Sequence, residues 1–171
     1  MSFNITSPSE LDDAKELDTM IVEYYGVVLE KLQQAGGPDH LKPEDMMDSF
    51  RSKIHVYMPP SGQLTLVHNS ADNLVGCSMM NQVRPDSGEL KRLYVRAQAN
   101  GHGLGQRILN TQFNQARHMG WKSILINVIK GNRDMLRLSE RVGFRYIDRY
   151  PECDDPPELA DYFVYMKYDL D

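Results

Sequence analysis

Three glycines at alternate positions mark the stretch of sequence whose chemistry is easiest to infer. Gly101, Gly103 and Gly105 lie within RAQANGHGLGQRIL, Arg96–Leu109, where a predicted strand meets a predicted helix. The first turn of a helix presents unpaired N–H groups and the positive end of the helix dipole, and glycine lets an anion approach the backbone closely. The glycines therefore indicate a phosphate site, with a tight turn of positive φ as the alternative.

Positive charge is concentrated around this stretch, although the whole chain has a formal net charge of −5. Residues 90–107 contain no acid and hold Lys91, Arg92, Arg96 and Arg107 together with His102. Such a strip suits a small polyanionic ligand, and a solvated charged face is the alternative. The negative net charge argues against a nucleic-acid partner, which needs clustered lysine and arginine.

Two common phosphate-binding motifs do not fit the glycines. A Rossmann loop requires G-x-G-x-x-G and an acid about 20 residues further on, near the end of the next strand. Here the spacing is G-x-G-x-G, and the next predicted strand, SILINVI, contains no acid. The G-x-x-x-x-G-K-[ST] of a Walker A loop is also absent. A Rossmann-type nucleotide enzyme is therefore a weaker alternative.

The residues from Gln98 to Gly103 match the Q/R-x-x-G-x-G/A signature of the GNAT superfamily of acyl-CoA-dependent N-acetyltransferases. The preceding ELKRLYV resembles the fourth strand of that family. The later segment INVIKGNRDMLRLSERVGF resembles its next strand and helix, with Asn132, Glu140 and Gly143-Phe144 in register. The resemblance extends over about Leu64 to Arg149.

The resemblance implies acetyl-CoA as co-substrate and assigns residues to bind it. Main-chain groups of Leu93, Tyr94 and Val95 would pair with the pantetheine arm, and Asn132 would face the cofactor as well as cap a helix. The pyrophosphate would lie on backbone N–H groups of the signature and the helix start. These cofactor-binding residues are Gln98, Asn100, Gly101, His102, Gly103, Leu104, Gly105 and Gln106.

Acetyl transfer to an amine needs a base, because a lysine-like amine has a pKa near ~10.4. Glu89 begins the fourth strand in the register where family members place a carboxylate, so it is the predicted base; an exposed strand-end carboxylate beside Lys91 is the alternative. A backbone N–H near Leu93 would stabilise the oxyanion.

The leaving thiolate needs a proton donor. Ser139 stands where the family commonly has a tyrosine, and a serine hydroxyl is a poor general acid. Tyr94 is therefore also a candidate, with Tyr162 and Tyr165 available; a water, or binding of acyl-CoA without turnover, remains open.

The acceptor site is predicted from aromatic and acidic residues. Tyr24, Tyr25 and Tyr162, with Glu23 and the acidic segment Glu152–Asp161, would form a pocket for a cationic amine. Packing of the tyrosines in the core and solvation of the acids is the alternative.

Hydrophobic periodicity predicts an α/β (α+β) fold with a mixed, mostly antiparallel central sheet flanked by helices on both faces, as in the GNAT family. A long helix is predicted through Ala14 and Leu32, with Ser7, Pro8 and Glu10 as a capping box and Gly36–Pro38 as its end. The other predicted elements are a helix at Pro43–Arg51, strands at Ile54–Met58, Leu64–Val67, Leu74–Met80 and Glu89–Val95, a helix from Leu104 to Gly120, a strand at Ser123–Ile129, a helix between Asn132 and Gly143, and strands at Phe144–Tyr150 and Tyr162–Tyr168.

Length and composition predict one N-acetyltransferase domain over residues 1–171. The N-terminal residues lack a charged-then-apolar leader and no apolar run could span a bilayer, so a cytoplasmic protein without a membrane partner is expected. Two cysteines and five scattered histidines predict no metal. The expected partner is a small-molecule or peptide amine, and homodimerisation is left open. An acyl-CoA-binding module without turnover is the main alternative function.

Overall fold

The computed structural model, which describes residues 2–171, contains one sheet packed between helices. In chain order the elements are β1 (Phe3–Thr6), α1 (Lys15–Gln34), α2 (Pro43–Lys53), β2 (Gly62–Asn69), β3 (Leu74–Arg84), β4 (Ser87–Val95), α3 (Leu104–His118), β5 (Ser123–Ile129), α4 (Arg133–Val142), β6 (Arg145–Ile147) and β7 (Phe163–Asp169). Short 3₁₀ turns occupy Ile54–Tyr57, Ala97–Ala99 and Pro157–Tyr162.

The sheet has seven strands in the order β1-β2-β3-β4-β5-β7-β6. Every neighbouring pair is antiparallel except β4 and β5, which run parallel. The predicted mixed, mostly antiparallel sheet is therefore confirmed. The order differs from the doubly wound parallel sheet that a Rossmann enzyme requires.

Helices cover both faces of the sheet, as predicted. On β3, Met79 packs with α1 and α2 residues such as Ile21 and Phe50, whereas Met80 packs with Phe113 of α3. Neighbouring residues of a strand point to opposite faces, so this pair of methionines separates the two halves of the core. α3 and α4 lie on the face opposite α1 and α2.

The start of the first helix differs from the prediction. α1 begins at Lys15 with Ala14 at its N-cap and no side-chain cap, so the capping box of Ser7, Pro8 and Glu10 is wrong. The residues just before Ser7 form β1, which pairs along the edge of β2, and Ser7 Oγ lies 3.4 Å from Thr65 Oγ1 on that neighbour. Strand pairing at the sheet edge outweighs the local capping pattern.

The segment Ile54–Met58 is not a strand. A 3₁₀ turn continues from the end of α2 through Ile54–Tyr57, and Tyr57 is buried against the α1 and α2 side of the core. A short apolar run carries no periodicity that separates strand from helix, and Pro59 and Pro60 behind it cannot donate to a strand ladder. The predicted strand Phe144–Tyr150 is likewise reduced to Arg145–Ile147.

Candidate active site

A cleft opens in the middle of the sheet where β4 and β5 separate. The two strands pair only over Ser87–Glu89 and Ser123–Leu125. Beyond these residues a cavity of about 690 Å³ lies between them, lined by residues 90–93 of β4 and 126–129 of β5. The β4 edge that faces the cavity has no strand partner there, so its main-chain groups can pair with an extended ligand.

A bulge in β4 shapes one wall of this cavity. The register with β3 shifts between Cys77 and Met79, so that Arg92 and Leu93 together stand opposite one residue, Ser78. Arg92 adopts a φ of 52°, which is uncommon for a residue other than glycine. Bulges of this kind redirect side chains, and both bulge residues line the cavity.

The glycine-rich stretch after β4 presents a row of free donors. Gly101 and Gly103 have φ values of 81° and 69°, and Gly103 caps α3 without any side-chain hydrogen bond. Residues 101–106 donate no backbone N–H to any acceptor among residues 2–171. A Cβ on either glycine would meet no protein atom within 4 Å, so the space beside these donors is open. This arrangement fits a pyrophosphate.

The remaining predicted cofactor residues differ in what they can offer. Asn100 already donates its N–H to the Ala97 carbonyl at 3.1 Å, so the row of free donors begins one residue later than predicted. Gln98 is exposed, and the His102 ring packs against Phe3 with centroids 5.2 Å apart. The Leu104 side chain is buried in the core, which leaves only its N–H for a ligand.

Asn132 combines its two predicted roles. Its Oδ1 accepts from the Met135 N–H at 3.4 Å and from Lys31 Nζ at 2.8 Å, so it caps α4 and ties that helix to α1. Asn132 also lines the cavity. The predicted cap is confirmed, and its contact with a cofactor stays a prediction.

Glu89 is buried inside the protein, with only 2% of its surface exposed. Its Oε1 accepts from the Tyr150 hydroxyl at 2.5 Å, and its Oε2 lies 3.2 Å from Lys91 Nζ. Burial raises the pKa of Glu89 above its usual value, although Lys91 and the Tyr150 hydrogen bond oppose the rise. The alternative of an exposed strand-end carboxylate is therefore wrong.

Glu89 lines a second cavity of about 300 Å³, which shares lining residues with the first. Lys53, Lys91 and Asp154 line both cavities. Lys91 also forms a salt bridge with Asp154, and Lys53 Nζ lies 3.0 Å from the same carboxylate. The region where the two cavities meet is called the shared region. A water or an amine there would lie near the carboxylates of Glu89 and Asp154 and the ammonium groups of Lys53 and Lys91.

Two of the predicted catalytic hydroxyls do not line the main cavity. Ser139 is fully buried, and its Oγ donates to the Met135 carbonyl at 2.8 Å within α4. A serine at this position is too short to reach past its own helix, so its predicted role as the group at the thiolate is corrected. Tyr94 packs edge-on against Tyr24, with ring centroids 6.2 Å apart, and of these two rings only Tyr24 lines the cavity.

The three tyrosines predicted to bind the acceptor all line the main cavity. Tyr25 accepts two hydrogen bonds from Arg92, and Tyr162 donates its hydroxyl to the Gly36 carbonyl at 3.1 Å. The Tyr24 hydroxyl makes no hydrogen bond with any residue from 2 to 171, and burial raises its pKa well above 10. Tyr24 therefore brings a protonated hydroxyl without a fixed partner to the cavity.

The acidic segment was predicted from the sequence to lie at the acceptor site, but the prediction did not single out Asp155. Asp155 lines the main cavity and accepts a hydrogen bond from Asn127 of β5. Burial raises the pKa of Asp155 above its ordinary value, and the positive charge of Lys91 only partly opposes this rise. Asn127 was the only polar residue within the apolar core of SILINVI, and that exception was the available signal.

The cationic strip is not one phosphate-binding face. Lys91 is bound to Glu89 and Asp154, and Arg96 forms a two-pronged salt bridge with Glu23, with both contacts at 2.8 Å. Arg107 donates to the Phe3 carbonyl at 3.3 Å beside the glycine stretch. The free backbone donors, rather than clustered cations, make the loop suitable for an anion.

Within residues 2–171 no three His, Cys, Asp or Glu side chains are grouped so as to hold a metal ion. None of the helices in that range is long and apolar enough to cross a membrane.

Comparisons with known proteins agree with this geometry. Residues 28–144 match the model of the acetyltransferase (GNAT) family. A protein of Schizosaccharomyces pombe, described as an uncharacterised N-acetyltransferase, is 26% identical over 144 residues, which cover 84% of this chain and 81% of the relative.

Solved structures share the whole fold. A GNAT-family acetyltransferase from Staphylococcus aureus Mu50 superposes with a TM-score of 0.74 at 16% identity, over 99% of this chain and 100% of the other. The PaiA N-acetyltransferase from Thermoplasma acidophilum, in complex with coenzyme A, superposes with a TM-score of 0.73 at 15% identity, over 99% of each chain.

Proposed function

Because the chain belongs to the acetyltransferase (GNAT) family, we propose that it transfers an acetyl group from acetyl-CoA to a primary amine, which attacks the thioester directly. The family and the enzyme class inferred from the motifs, an acyl-CoA-dependent N-acyltransferase, are confirmed by the match over residues 28–144. One observation carries the finer proposal: β4 separates from β5 and then leads, through a 3₁₀ turn, to six consecutive free backbone donors.

These features suit the two chemically distinct parts of coenzyme A. The N–H groups of residues 101–106 bind the pyrophosphate at the positive end of α3, and the unpaired β4 edge at Leu93 binds the amides of the pantetheine arm. The coenzyme A in the Thermoplasma relative supports this ligand. Acetyl-CoA supplies an acetyl group activated as a thioester.

The acceptor amine must lose a proton before or during its attack. Glu89 takes that proton through a water in the shared region, since its raised pKa brings its basicity closer to neutral pH. Asp155 is the second candidate, because it lines the main cavity directly and its pKa is also raised by burial. Glu89 and Asp155 line different cavities, so a substitution at each position tests which of the two carboxylates is the base.

The remaining groups handle charge on the reacting atoms. A main-chain N–H at the β4 bulge, near Leu93, stabilises the negative charge on the carbonyl oxygen without reorganisation. Tyr24 donates the proton to the sulfur, because this residue lines the cavity and its hydroxyl makes no hydrogen bond with any residue from 2 to 171. Tyr25 and Tyr162 shape the acceptor side of the same cavity.

Release of free thiol from acetyl-CoA, measured across a panel of primary amines, tests the proposal. Amine-dependent release with one N-acetylated product per thiol is expected. Tight binding of coenzyme A without turnover of any amine would instead favour a binding module. A thermal shift with coenzyme A but not with NAD is expected, because a ligand that binds only the folded protein stabilises it. The cytoplasmic location and metal independence stay predictions.

A further inference from the structure

Arg92 is the most unusual cation of the cavity, because aromatic side chains surround its guanidinium. Nη1 donates to the Tyr57 hydroxyl at 2.8 Å, while Nε and Nη2 donate to the Tyr25 hydroxyl at 3.2 and 3.0 Å. The Cζ atom lies 5.1 Å from the ring centroid of Tyr57, 5.3 Å from that of Phe50 and 5.8 Å from that of Tyr25. These contacts hold the guanidinium in one place.

No carboxylate among residues 2–171 neutralises this guanidinium. The neighbouring cations are paired, Lys91 with Glu89 and Asp154, and Arg96 with Glu23. Arg92 forms no salt bridge with any residue from 2 to 171. A charge withdrawn from water costs free energy unless an opposite charge compensates it, so an unpaired guanidinium on a cavity wall is suited to an anionic ligand.

The guanidinium also keeps donors for such a ligand. A guanidinium has five N–H groups, and one each on Nε, Nη1 and Nη2 is used by the two tyrosines. One N–H therefore remains on each terminal nitrogen. Two donors on a planar fork match the two oxygens of a carboxylate.

A negative group lines the same cavity. Asp155 holds its carboxylate beside Asn127 of β5, and both residues line the same cavity as Arg92 of β4. Asp154 belongs to the wall as well, but Lys91 and Lys53 already neutralise it. The cavity thus offers an unpaired cation, Arg92, and carboxylates apart from it, of which Asp155 is the one held by β5, as a zwitterion requires.

We propose that the acceptor is a small amine that carries a carboxylate, such as a free amino acid, and that Arg92 binds this carboxylate. The inference rests on the proposed function and narrows its acceptor. A peptide N-terminus or a lysine within a protein lacks a carboxylate beside the amine, so neither satisfies Arg92.

Matched acceptors test the proposal directly. Glycine, leucine, methionine, phenylalanine, glutamate and lysine are each compared with their carboxamides, with acetyl-CoA at saturation and thiol release as the readout. At least one free acid is expected to exceed its carboxamide by about tenfold or more in kcat/KM, because a hydrogen-bonded ion pair is lost in the amide. Carboxamides that are acetylated as well as the acids would overturn the proposal and leave the proposed function standing.

Arg92→Gln identifies the residue responsible. The variant is expected to lower kcat/KM for the preferred acid by about tenfold or more, mainly through KM. The kcat/KM for the matching carboxamide should change by less than about twofold. Arg96→Gln is the matched control: it removes a neighbouring arginine that Glu23 already pairs, and it should keep the acid-to-amide preference. If Arg92→Gln kept the preference for the acid over its carboxamide, a group other than Arg92 would bind the carboxylate of the acceptor. If Arg92→Gln does not fold, Arg92→Lys keeps the charge but not the fork and should retain only part of the preference.

A binding measurement separates failure of this inference from failure of the proposed function. N-acetylated amino acids and their amides are added to the protein saturated with coenzyme A, and the shift in Tm is recorded. A larger shift with the acids, lost in Arg92→Gln, supports carboxylate binding even if no amine is turned over. Equal shifts for acids and amides overturn it. Absence of thiol release with every amine counts against the proposed function alone.

Discussion

The Tyr150 hydroxyl donates to Glu89 Oε1 at 2.5 Å, and both side chains are buried. Tyr150 follows the short strand β6, whereas Glu89 lies near the start of β4, the central strand, so the bond fixes the start of the acidic segment against the middle of the sheet. Lys91 occupies the other carboxylate oxygen at 3.2 Å. The base proposed for the reaction is thus buried and oriented by two donors.

Tyr150→Phe is expected to move the acid limb of the kcat/KM profile to higher pH. Burial raises the pKa of Glu89, and the Tyr150 hydrogen bond is one of the contacts that restrain the rise. Loss of this hydrogen bond removes stabilisation of the charged carboxylate, about 1.5–3 kcal/mol for a typical hydrogen bond to a charged group, so the pKa of Glu89 rises further. The measurement is kcat/KM against pH for the best acceptor.

Tyr146→Phe is the matched control for that experiment. The Tyr146 hydroxyl also donates to a glutamate, Glu140, at 2.5 Å, but this pair lies at the surface. Its removal should leave the profile unchanged. A limb that stays in place in Tyr150→Phe would mean that Glu89 is not the group whose ionisation the profile reports.

Glu89→Gln and Asp155→Asn decide which carboxylate accepts the amine proton. Loss of the base should lower kcat by about 10²–10⁴-fold and remove the acid limb, whereas loss of the other carboxylate should keep the limb. We expect the first behaviour from Glu89→Gln. The opposite assignment would follow if the limb disappeared only in Asp155→Asn, whose carboxyl also has a pKa raised by burial.

Gly103→Ala tests the phosphate site against a matched glycine at the other end of α3. Gly103 and Gly120 have similar φ values of 69° and 76°, and a Cβ at either would meet nothing within 4 Å. Each alanine should therefore cost about 1–2 kcal/mol of stability through its left-handed backbone alone. Only Gly103→Ala should raise KM for acetyl-CoA, because its Cβ enters the space beside the free donors. Equal KM values in the two variants would place the pyrophosphate elsewhere.

Tyr24→Phe and Ser139→Ala separate the two hydroxyls considered for protonation of the sulfur. Tyr24→Phe should lower kcat by about 10²-fold, since its hydroxyl lies on the cavity wall without another partner. Ser139→Ala should leave kcat within about twofold, because Ser139 Oγ is bound to the Met135 carbonyl inside α4. The reverse order of effects in single-turnover kinetics would restore the serine to the mechanism.

Local signals were sufficient for some elements and for the row of free backbone donors. The observed bounds of β5, Ser123–Ile129, are the predicted ones, because an apolar run of strand length is closed on both sides by polar residues. α4 begins after Asn132 and ends at Gly143, whose φ of 107° only glycine adopts readily. The free N–H groups after β4 likewise follow from the local spacing of the glycines.

The walls of the cavity could not be predicted in the same way. Tyr150 reaches Glu89, Asp154 reaches Lys91 and Asp155 reaches Asn127 only because the acidic segment folds back over the sheet. Arg92 lines the cavity at a bulge in β4, and the residue spacing of the sequence does not predict that bulge. Such long-range placements depend on tertiary packing, so sequence patterns predicted tyrosines that line the cavity but not the partners of the cavity residues.

Asp154 links this folded-back segment to the rest of the site, and its ionisation should make stability depend on pH. Burial disfavours its charged form, but Lys91 and Lys53 together hold the pKa of Asp154 at about 2, below the ordinary value of 3.8. A carboxyl whose pKa is lower in the folded protein contributes stability above its unfolded pKa and loses that contribution as pH falls toward its folded pKa. Asp154→Asn should therefore lower the urea midpoint at pH 7.

The pH dependence is the part of this prediction that a simple packing defect would not reproduce. The difference in unfolding free energy between the wild type and Asp154→Asn should be constant above about pH 5 and shrink as pH falls from about 4 toward 2. Asp161→Asn, in the same segment but exposed and without a salt bridge among the described residues, should show no such difference. A deficit in Asp154→Asn that persisted undiminished at low pH would mean that its charge does not hold the segment in place.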